Sequence, residues 1–295
     1  MKSEEQALNK QNSSKALGRF LIILTGLLWG LAGLCVKSTK WGSMPIIGVR
    51  SVISFFMLAA FKKSFKMKFN KANVWAAIMM SVTGILYITA ITLTTAGTAI
   101  VLQYLAPILV LLYAIVIKKR KAKSIEIILT IVVFVGVALS FLDTLDFTHI
   151  LGNIIALLSG FAFAAQIILM SDEKCDSVDC SMISNIFSFI IAIPFIILMP
   201  SLITFDLKSI IWVLILSVFQ YGLANIIFAV GVKKIDDVET SLFLCIEPIF
   251  NPIPVAIFCG EMMGPLAIAG MIVVIAAMIV YALIPWFEKR AKLLP

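Results

Sequence analysis

The residue with the most chemistry to offer in this chain is Glu247, in the run Cys245-Ile246-Glu247-Pro248 within an apolar stretch from about Val238 to Phe258. An ionised carboxylate near the middle of a bilayer costs about 2.5 to 3.5 kcal/mol even on lenient insertion scales, so a cation, a proton or water must offset it. Pro248 directly after it removes a backbone donor and frees a carbonyl, which a membrane helix tolerates where protein or a water-filled cavity supplies the missing bond. Asn251 lies four residues on and shares the helix face of Glu247. Such a carboxylate suits two tasks, counter-charge for a cation or proton coupling. The competing role is structural, a protonated acid bonded to a neighbouring helix.

Other polar groups sit in apolar surroundings. Gln103 and Tyr104 come just before Pro107, and Gln220, Tyr221 and Asn225 fall in one stretch with Tyr221 and Asn225 on one face. Buried amides and phenols need partners in lipid, so these residues either join helices or orient a polar substrate. Trp29 with Tyr87, Tyr104 and Tyr221 could wall a cationic headgroup. Arg50 is expected nearer an interface than the midplane, where it could snorkel, pair with an acidic group at the cavity mouth or bind a carboxylate substrate, and Lys37 is expected to snorkel. Gly26, Gly30 and Gly33 allow close approach of a neighbouring helix.

Much chemistry is absent from the pattern. His149 is the only histidine, and neither HExxH nor GxSxG occurs, which argues against a membrane-embedded enzyme and a histidine metal site. No GxxxxGK[ST] loop is present, so ATP hydrolysis by a P-loop is excluded. No cofactor is expected. Of five cysteines, Cys35, Cys245 and Cys259 fall in apolar runs, and the spacing of Cys175 and Cys180 is weak evidence for a metal.

The elements that must position these residues are membrane helices. Hydrophobic residues make up 61% of the 295 residues and charged residues 14%, well below the roughly 25% charged of a soluble domain. Apolar stretches at 20–38, 45–61, 73–93, 97–117, 125–142, 150–170, 182–199, 209–231, 238–258 and 265–286 are each long enough to cross about 30 Å of hydrocarbon. Ten transmembrane helices are expected. The net charge of +8 sits almost wholly in alternate connections: 62–71, 118–123, 174, 233–234 and both ends are basic, whereas the other side holds only Lys37, Lys40 and Lys208. By the positive-inside rule both termini are cytoplasmic, and the basic bias reports topology rather than nucleic-acid binding. Residues 1–17 are expected to be a disordered cytoplasmic tail and 287–295 a second tail.

The two halves, 18–142 and 150–286, resemble each other. Leu27-Leu28-Trp29-Gly30-Leu31-Ala32 matches Leu157-Leu158-Ser159-Gly160-Phe161-Ala162, Trp75 matches Trp212, and Pro107 matches Pro248, in the same order. Five helices per half place the copies in opposite orientations, an inverted repeat.

Leu28-Trp29-Gly30, the segment from Pro45 to Arg50, Ala99 to Pro107, and Glu247-Pro248 followed by Gly260-Glu261 together resemble the drug/metabolite transporter superfamily, EamA type. The resemblance spans about 20–286. It implies an all-α integral membrane protein of ten helices in two inverted five-helix repeats. A central cavity would be lined by helices 1 to 4 and 6 to 9, with helices 5 and 10 peripheral. The resemblance favours a gating or structural role for Arg50, Pro107 and Pro248, and one departure is visible, since the position of the first repeat equivalent to Glu261 is Arg120. The expected function is secondary transport of small polar or amphiphilic metabolites by alternating access in a prokaryotic plasma membrane, with export of amino acids, amines or related compounds leading. Proton-linked uptake of a choline-like cation is the alternative, and a non-transporting receptor or scaffold a remote one.

Overall fold

The computed structural model describes residues 2–145, 147–259 and 264–291, with side chains described from residue 11 to 284 apart from Asn12, Lys37, Thr92, Ala96, Thr144, Val255 and Cys259. Glu261 and the side chain of Lys37 therefore lie outside the described part. Fifteen α-helices follow in order: α1 Lys2–Trp29, α2 Ala32–Ser38, α3 Ser43–Lys62, α4 Lys71–Leu93, α5 Ala96–Gln103, α6 Ala106–Val116, α7 Ser124–Ser140, α8 Ile150–Ser171, α9 Ser177–Leu198, α10 Leu207–Ile215, α11 Ala224–Gly231, α12 Asp237–Leu244, α13 Ile246–Phe250, α14 Pro252–Cys259 and α15 Pro265–Ala291. A π-helical segment, Leu216–Leu223, joins α10 to α11.

Nine helical stretches among the described residues are long and apolar enough to cross a membrane, and α7 is a shorter apolar helix. The protein is a multi-pass all-α membrane protein. α1 is helical from Lys2, where the sequence suggested a disordered tail. Extending an existing helix avoids the nucleation step that makes short isolated helices unstable, so a polar segment can continue a membrane span.

Sequence chemistry sets the ends of these helices. Asn70, Asp176, Asp206 and Asp236 cap α4, α9, α10 and α12 by accepting from backbone N–H groups of the first turn. α3 ends at Lys63, whose φ of 55° is left-handed.

The distribution of side chains is that of a bundle in lipid. Large apolar residues such as Leu112, Ile131, Leu158, Ile197, Phe219 and Ile272 are exposed, while Ser51, Ser54, Ser184, Asn185 and Asn225 are buried. Hydrocarbon solvates the former, and the latter satisfy or await hydrogen bonds inside. α3 packs on α9 and on the π segment, α4 on α8 and α9, α1 on α11, and α7 on α15. Gly160 shows how tight these contacts are: a Cβ there would stand 2.8 Å from the carbonyl oxygen of Leu102 and 3.0 Å from that of Gln103. The obstacle is backbone, so it cannot rotate away.

Gly160→Ala should therefore destabilise the bundle by about 1–3 kcal/mol, the usual range for overpacking. The check is thermal unfolding in detergent, and an unchanged midpoint would contradict the contact.

Candidate functional site

Four of the membrane-crossing stretches are irregular, and they are the ones that meet at the centre. α1 gives way to α2 at Gly30-Leu31, α5 to α6 at Tyr104-Leu105, α12 to α13 at Cys245, and α10 passes through the π segment to α11. In two of them the break has the same form: Tyr104 and Cys245 each cap a helix three residues before a proline, Pro107 in the first turn of α6 and Pro248 in α13. Proline cannot donate to the carbonyl four residues earlier, which leaves the Leu244 carbonyl without that partner.

The two breaks touch. The Tyr104 hydroxyl lies 2.6 Å from Oε2 of Glu247 and 3.3 Å from the Leu244 carbonyl oxygen. A phenol has one proton, so it can donate to only one of these acceptors at a time. When Glu247 is ionised, Tyr104 donates to the carboxylate. When Glu247 is protonated, its own O–H can donate to the Tyr104 oxygen and release the phenol proton to Leu244. Proton occupancy at Glu247 is thereby tied to the hydrogen bonding of the helix break.

Close helix approach holds Glu247 in place. A Cβ on Gly26 would collide with the Ile246 side chain, one on Gly30 would be 3.1 Å from the Glu247 carbonyl oxygen, and one on Gly33 would be 2.5 Å from Oδ1 of Asn251. The glycine stripe read from the sequence is thus the seat of the Glu247 segment. Trp29 closes the other side, its ring 5.2 Å from that of Phe228 and 6.3 Å from that of Phe163. Gln220 donates to the Trp29 carbonyl at 3.3 Å, at the end of α1 where the break leaves carbonyls to be satisfied.

These residues surround one cavity of about 1170 Å³. Trp29, Tyr87, Gln103, Tyr221, Asn225, Glu247 and Asn251 all line it, and so does Arg50. Tyr104 stands behind Glu247 and is 2% exposed. Pro107 and Pro248 are buried but are not lining residues. The breaks they create turn neighbouring side chains toward the cavity while the proline rings pack into the bundle. α9 contributes no lining residue either, because it packs on the sides of α3 and α4. Sequence reasoning missed Phe163, Gln166 and Thr83, which also line the cavity. Gln166 carried a usable signal, a lone amide in an apolar run, whereas nothing separates Phe163 from ordinary lipid-facing phenylalanines.

Arg50 is placed differently from the expected gate pair. Its guanidinium stacks on the Tyr221 ring at 4.2 Å, and among the described residues no carboxylate forms an ion pair with it.

The cavity runs toward one end of the bundle. That end gathers the connections around Gly42 and Leu202, joined by a 2.8 Å backbone bond, with Trp41 donating to the Thr204 carbonyl and Thr94 to Asn153. Val36, Ser43, Thr95, Asp143 and Gly264 line the cavity there. The opposite end is closed by charge pairs that the sequence did not reveal. Arg19 Nε donates to Glu239 at 2.6 Å, Lys118 to Asp237 at 2.6 Å, Arg120 to Glu126 at 3.1 Å, and Lys62 pairs with the fully buried Asp179. Arg19 also donates to the Ala282 carbonyl at 3.0 Å, which ties α15 into this closure.

One solved protein, named only "Crystal structure of protein", superposes with a TM-score of 0.80 over 92% of this chain and 98% of its own, at 14% sequence identity, a likeness of fold. No curated protein matches the chain significantly. The model of the EamA-like transporter family matches residues 16–142 and 150–283, nearly all of the membrane-embedded part. Members of that family are transporters rather than enzymes. A cavity walled by broken helices, built on these two matched segments, belongs to a member of the EamA-like transporter family.

Proposed function

We propose that this protein is a secondary transporter that moves small polar or amphiphilic metabolites by alternating access, with Glu247 as the coupling or substrate-pairing carboxylate. The observation that carries this reading is a large cavity that reaches Glu247 from one end of the bundle while ion pairs tie the other. Carriers of this kind place their sites near the midplane, between repeats and beside discontinuous helices.

In this reading α7 is the fifth of ten spans, and the halves 18–142 and 150–286 are inverted repeats. Packing supports it. The fifth span, α7, packs on the tenth, α15, and the second, α3, on the seventh, α9. Four further packings form two reciprocal pairs: α4 on α8 answers α1 on α11, and α4 on α9 answers α3 on the π segment. Such reciprocity is what a pseudo-two-fold axis between two copies produces. The Tyr104–Glu247 contact then lies where spans four and nine cross.

The closed end carries the basic connections, so it is cytoplasmic in our reading and the cavity faces outward. Closure depends on acids that are nearly or wholly buried, Asp179, Asp237 and Glu239. Breaking such a pair is costly because the remaining charge is stranded, by about 3–5 kcal/mol. That makes the pairs suitable latches for one state. Transport draws on a gradient, protons being the natural coupling ion for Glu247, and export of amino acids, amines or related compounds is the leading direction. Uptake of a choline-like cation is the second reading, supported by Trp29, Tyr87 and Tyr221 around the same cavity as Glu247.

Single cysteines introduced at Leu145 and Lys68 should respond oppositely to a membrane-impermeant thiol reagent on intact cells, with ready labelling at 145 and none at 68. The reverse pattern would invert the topology. Glu247→Gln should remain folded, since the amide can donate to Tyr104 and leave the phenol proton for Leu244, but should lose the pH dependence of transport in proteoliposomes. Transport by Glu247→Gln at the wild-type rate and with the wild-type pH profile would contradict the coupling role. Tyr104→Phe should instead lower stability by about 1–3 kcal/mol, because it strands buried acceptors. Thermal unfolding ranks the two variants, and equal losses would refute the hydrogen-bond exchange.

A further inference from the structure

The connection from α3 to α4 reads Lys63-Ser64-Phe65-Lys66-Met67-Lys68-Phe69-Asn70-Lys71, an interleaving of basic and apolar residues. Orientation in the membrane accounts for the lysines but has no use for the phenylalanines between them. Phe65 and Phe69 are 63% and 64% exposed, whereas Met67 between them packs on the core around Leu58 and Met182. The Phe65 ring lies 6.2 Å from the rings of both Phe55 and Phe56, and Phe56 is itself exposed, so the loop continues the lipid-facing aromatic edge of α3 past the helix end. Lys63, Lys66, Lys68 and Lys71 are exposed, and none forms an ion pair with a described carboxylate. Such a surface at the end of a span sits at headgroup height, where rings enter the acyl region and ammonium groups meet phosphates. An acidic soluble partner would match the lysines but would compete with the bilayer for the rings.

The backbone of the same loop is part of the closed end. Lys62, which pairs with Asp179, also donates to the Lys66 carbonyl at 2.8 Å. The second oxygen of Asp179 accepts from the Lys68 N–H at 3.1 Å, and Asn73 donates to the Lys68 carbonyl at 2.7 Å. Asp179 stands on α9, in the other family-matched segment. Lys66 and Lys68 therefore give their main chain to the ion pair that joins the halves and turn their side chains outward. Parting Lys62 from Asp179 would remove two of the bonds that shape the loop. A ligand that binds the loop in its present shape thus binds the closed end more tightly than an opened one, which is the condition for shifting the balance between them.

We propose that residues 63–71 form a docking surface for anionic phospholipid in the cytoplasmic leaflet, with the lysines on headgroup phosphates and Phe65 and Phe69 among the acyl chains, and that its occupancy holds the Lys62–Asp179 latch closed. The leaflet and the meaning of the latch rest on the orientation and carrier reading above. The surface itself rests on the exposed rings, the lysines without ion pairs and the backbone bonds to Asp179.

The test uses purified protein in vesicles of phosphatidylcholine alone or of an equimolar mixture with phosphatidylglycerol. Cys180, fully buried and next to Asp179, reports the latch through its rate of alkylation by N-ethylmaleimide, a neutral reagent, followed at that peptide by mass spectrometry. Phosphatidylglycerol should slow alkylation by at least about fivefold, the low end of ordinary coupling between two sites. The combined variant Lys63→Gln, Lys66→Gln, Lys68→Gln, Lys71→Gln should lose that dependence, and raised salt should weaken it in the unaltered protein. Phe65→Ser with Phe69→Ser keeps every charge and should lose most of it, which gives the answer if the glutamine variant fails to fold. Three outcomes overturn the docking surface: equal rates in the two vesicles, a dependence that survives either set of substitutions, or the same slowing by glycerol phosphate added to phosphatidylcholine vesicles. Counterflow separates this result from the carrier reading. Lipid-dependent alkylation without counterflow of any amine, amino acid, nucleobase or sugar keeps the docking surface and removes the carrier, and counterflow with lipid-independent alkylation does the reverse.

Discussion

The contact between the Tyr104 hydroxyl and the Glu247 carboxyl holds the centre of the molecule together. It joins two helices at the points where each has lost its regular hydrogen bonding, 143 residues apart in sequence. Broken backbone in a membrane must be satisfied by protein or by water. Here a side chain from one break satisfies the other, through the 3.3 Å contact of Tyr104 with the Leu244 carbonyl. An isolated proline break would expose carbonyls to hydrocarbon, and an isolated buried carboxylate would lack a donor. Set against each other, the two liabilities offset one another, and the crossing point becomes sensitive to a single proton.

The surrounding packing follows from that crossing. To reach Tyr104, the Glu247 segment must lie against α1, and only glycines at 26, 30 and 33 leave space for Ile246, the Glu247 backbone and Asn251. The polar interior is assembled in the same way. Ser81 bonds Ser184 at 3.0 Å and Asn185 bonds Ser54 at 3.2 Å, each between helices of opposite halves. These bonds contribute modestly, because the alternative partners in lipid-embedded unfolded states are not absent. Their larger effect is to fix which faces meet.

Charge is used differently at the two ends. The cavity end is held by neutral contacts such as Gly42 to Leu202 and Trp41 to Thr204, which can part at small cost. The closed end is held by ion pairs in which the acid is buried and the base half-exposed, as in Lys118 with Asp237. Such pairs are weak when formed and expensive when half-broken, so they favour concerted opening over gradual loosening. In the alternating-access reading proposed above, an asymmetry of this kind suits a bundle shut on one side while open on the other.

Much of this architecture was legible in the chain itself. Apolar runs of bilayer length declared membrane helices because every backbone group in lipid must bond within its own segment, and the proline after Glu247 announced irregular backbone. The lining positions of Trp29, Tyr87, Gln103, Tyr221, Asn225, Glu247 and Asn251 were accessible as polar or aromatic groups in apolar surroundings. What the sequence did not contain was pairing. Tyr104 and Glu247, Arg19 and Glu239, or Gly33 and Asn251 are far apart in the chain, and local spacing carries no information about which helix faces which. Arg50 makes the point most clearly. Its place near an interface suggested a gate pair, yet only the packed bundle decided that its neighbours are Tyr221 and Gly84 and that no described carboxylate forms an ion pair with it. Period and hydropathy are properties of a segment, whereas the partner of a buried charge is a property of the whole assembled interior.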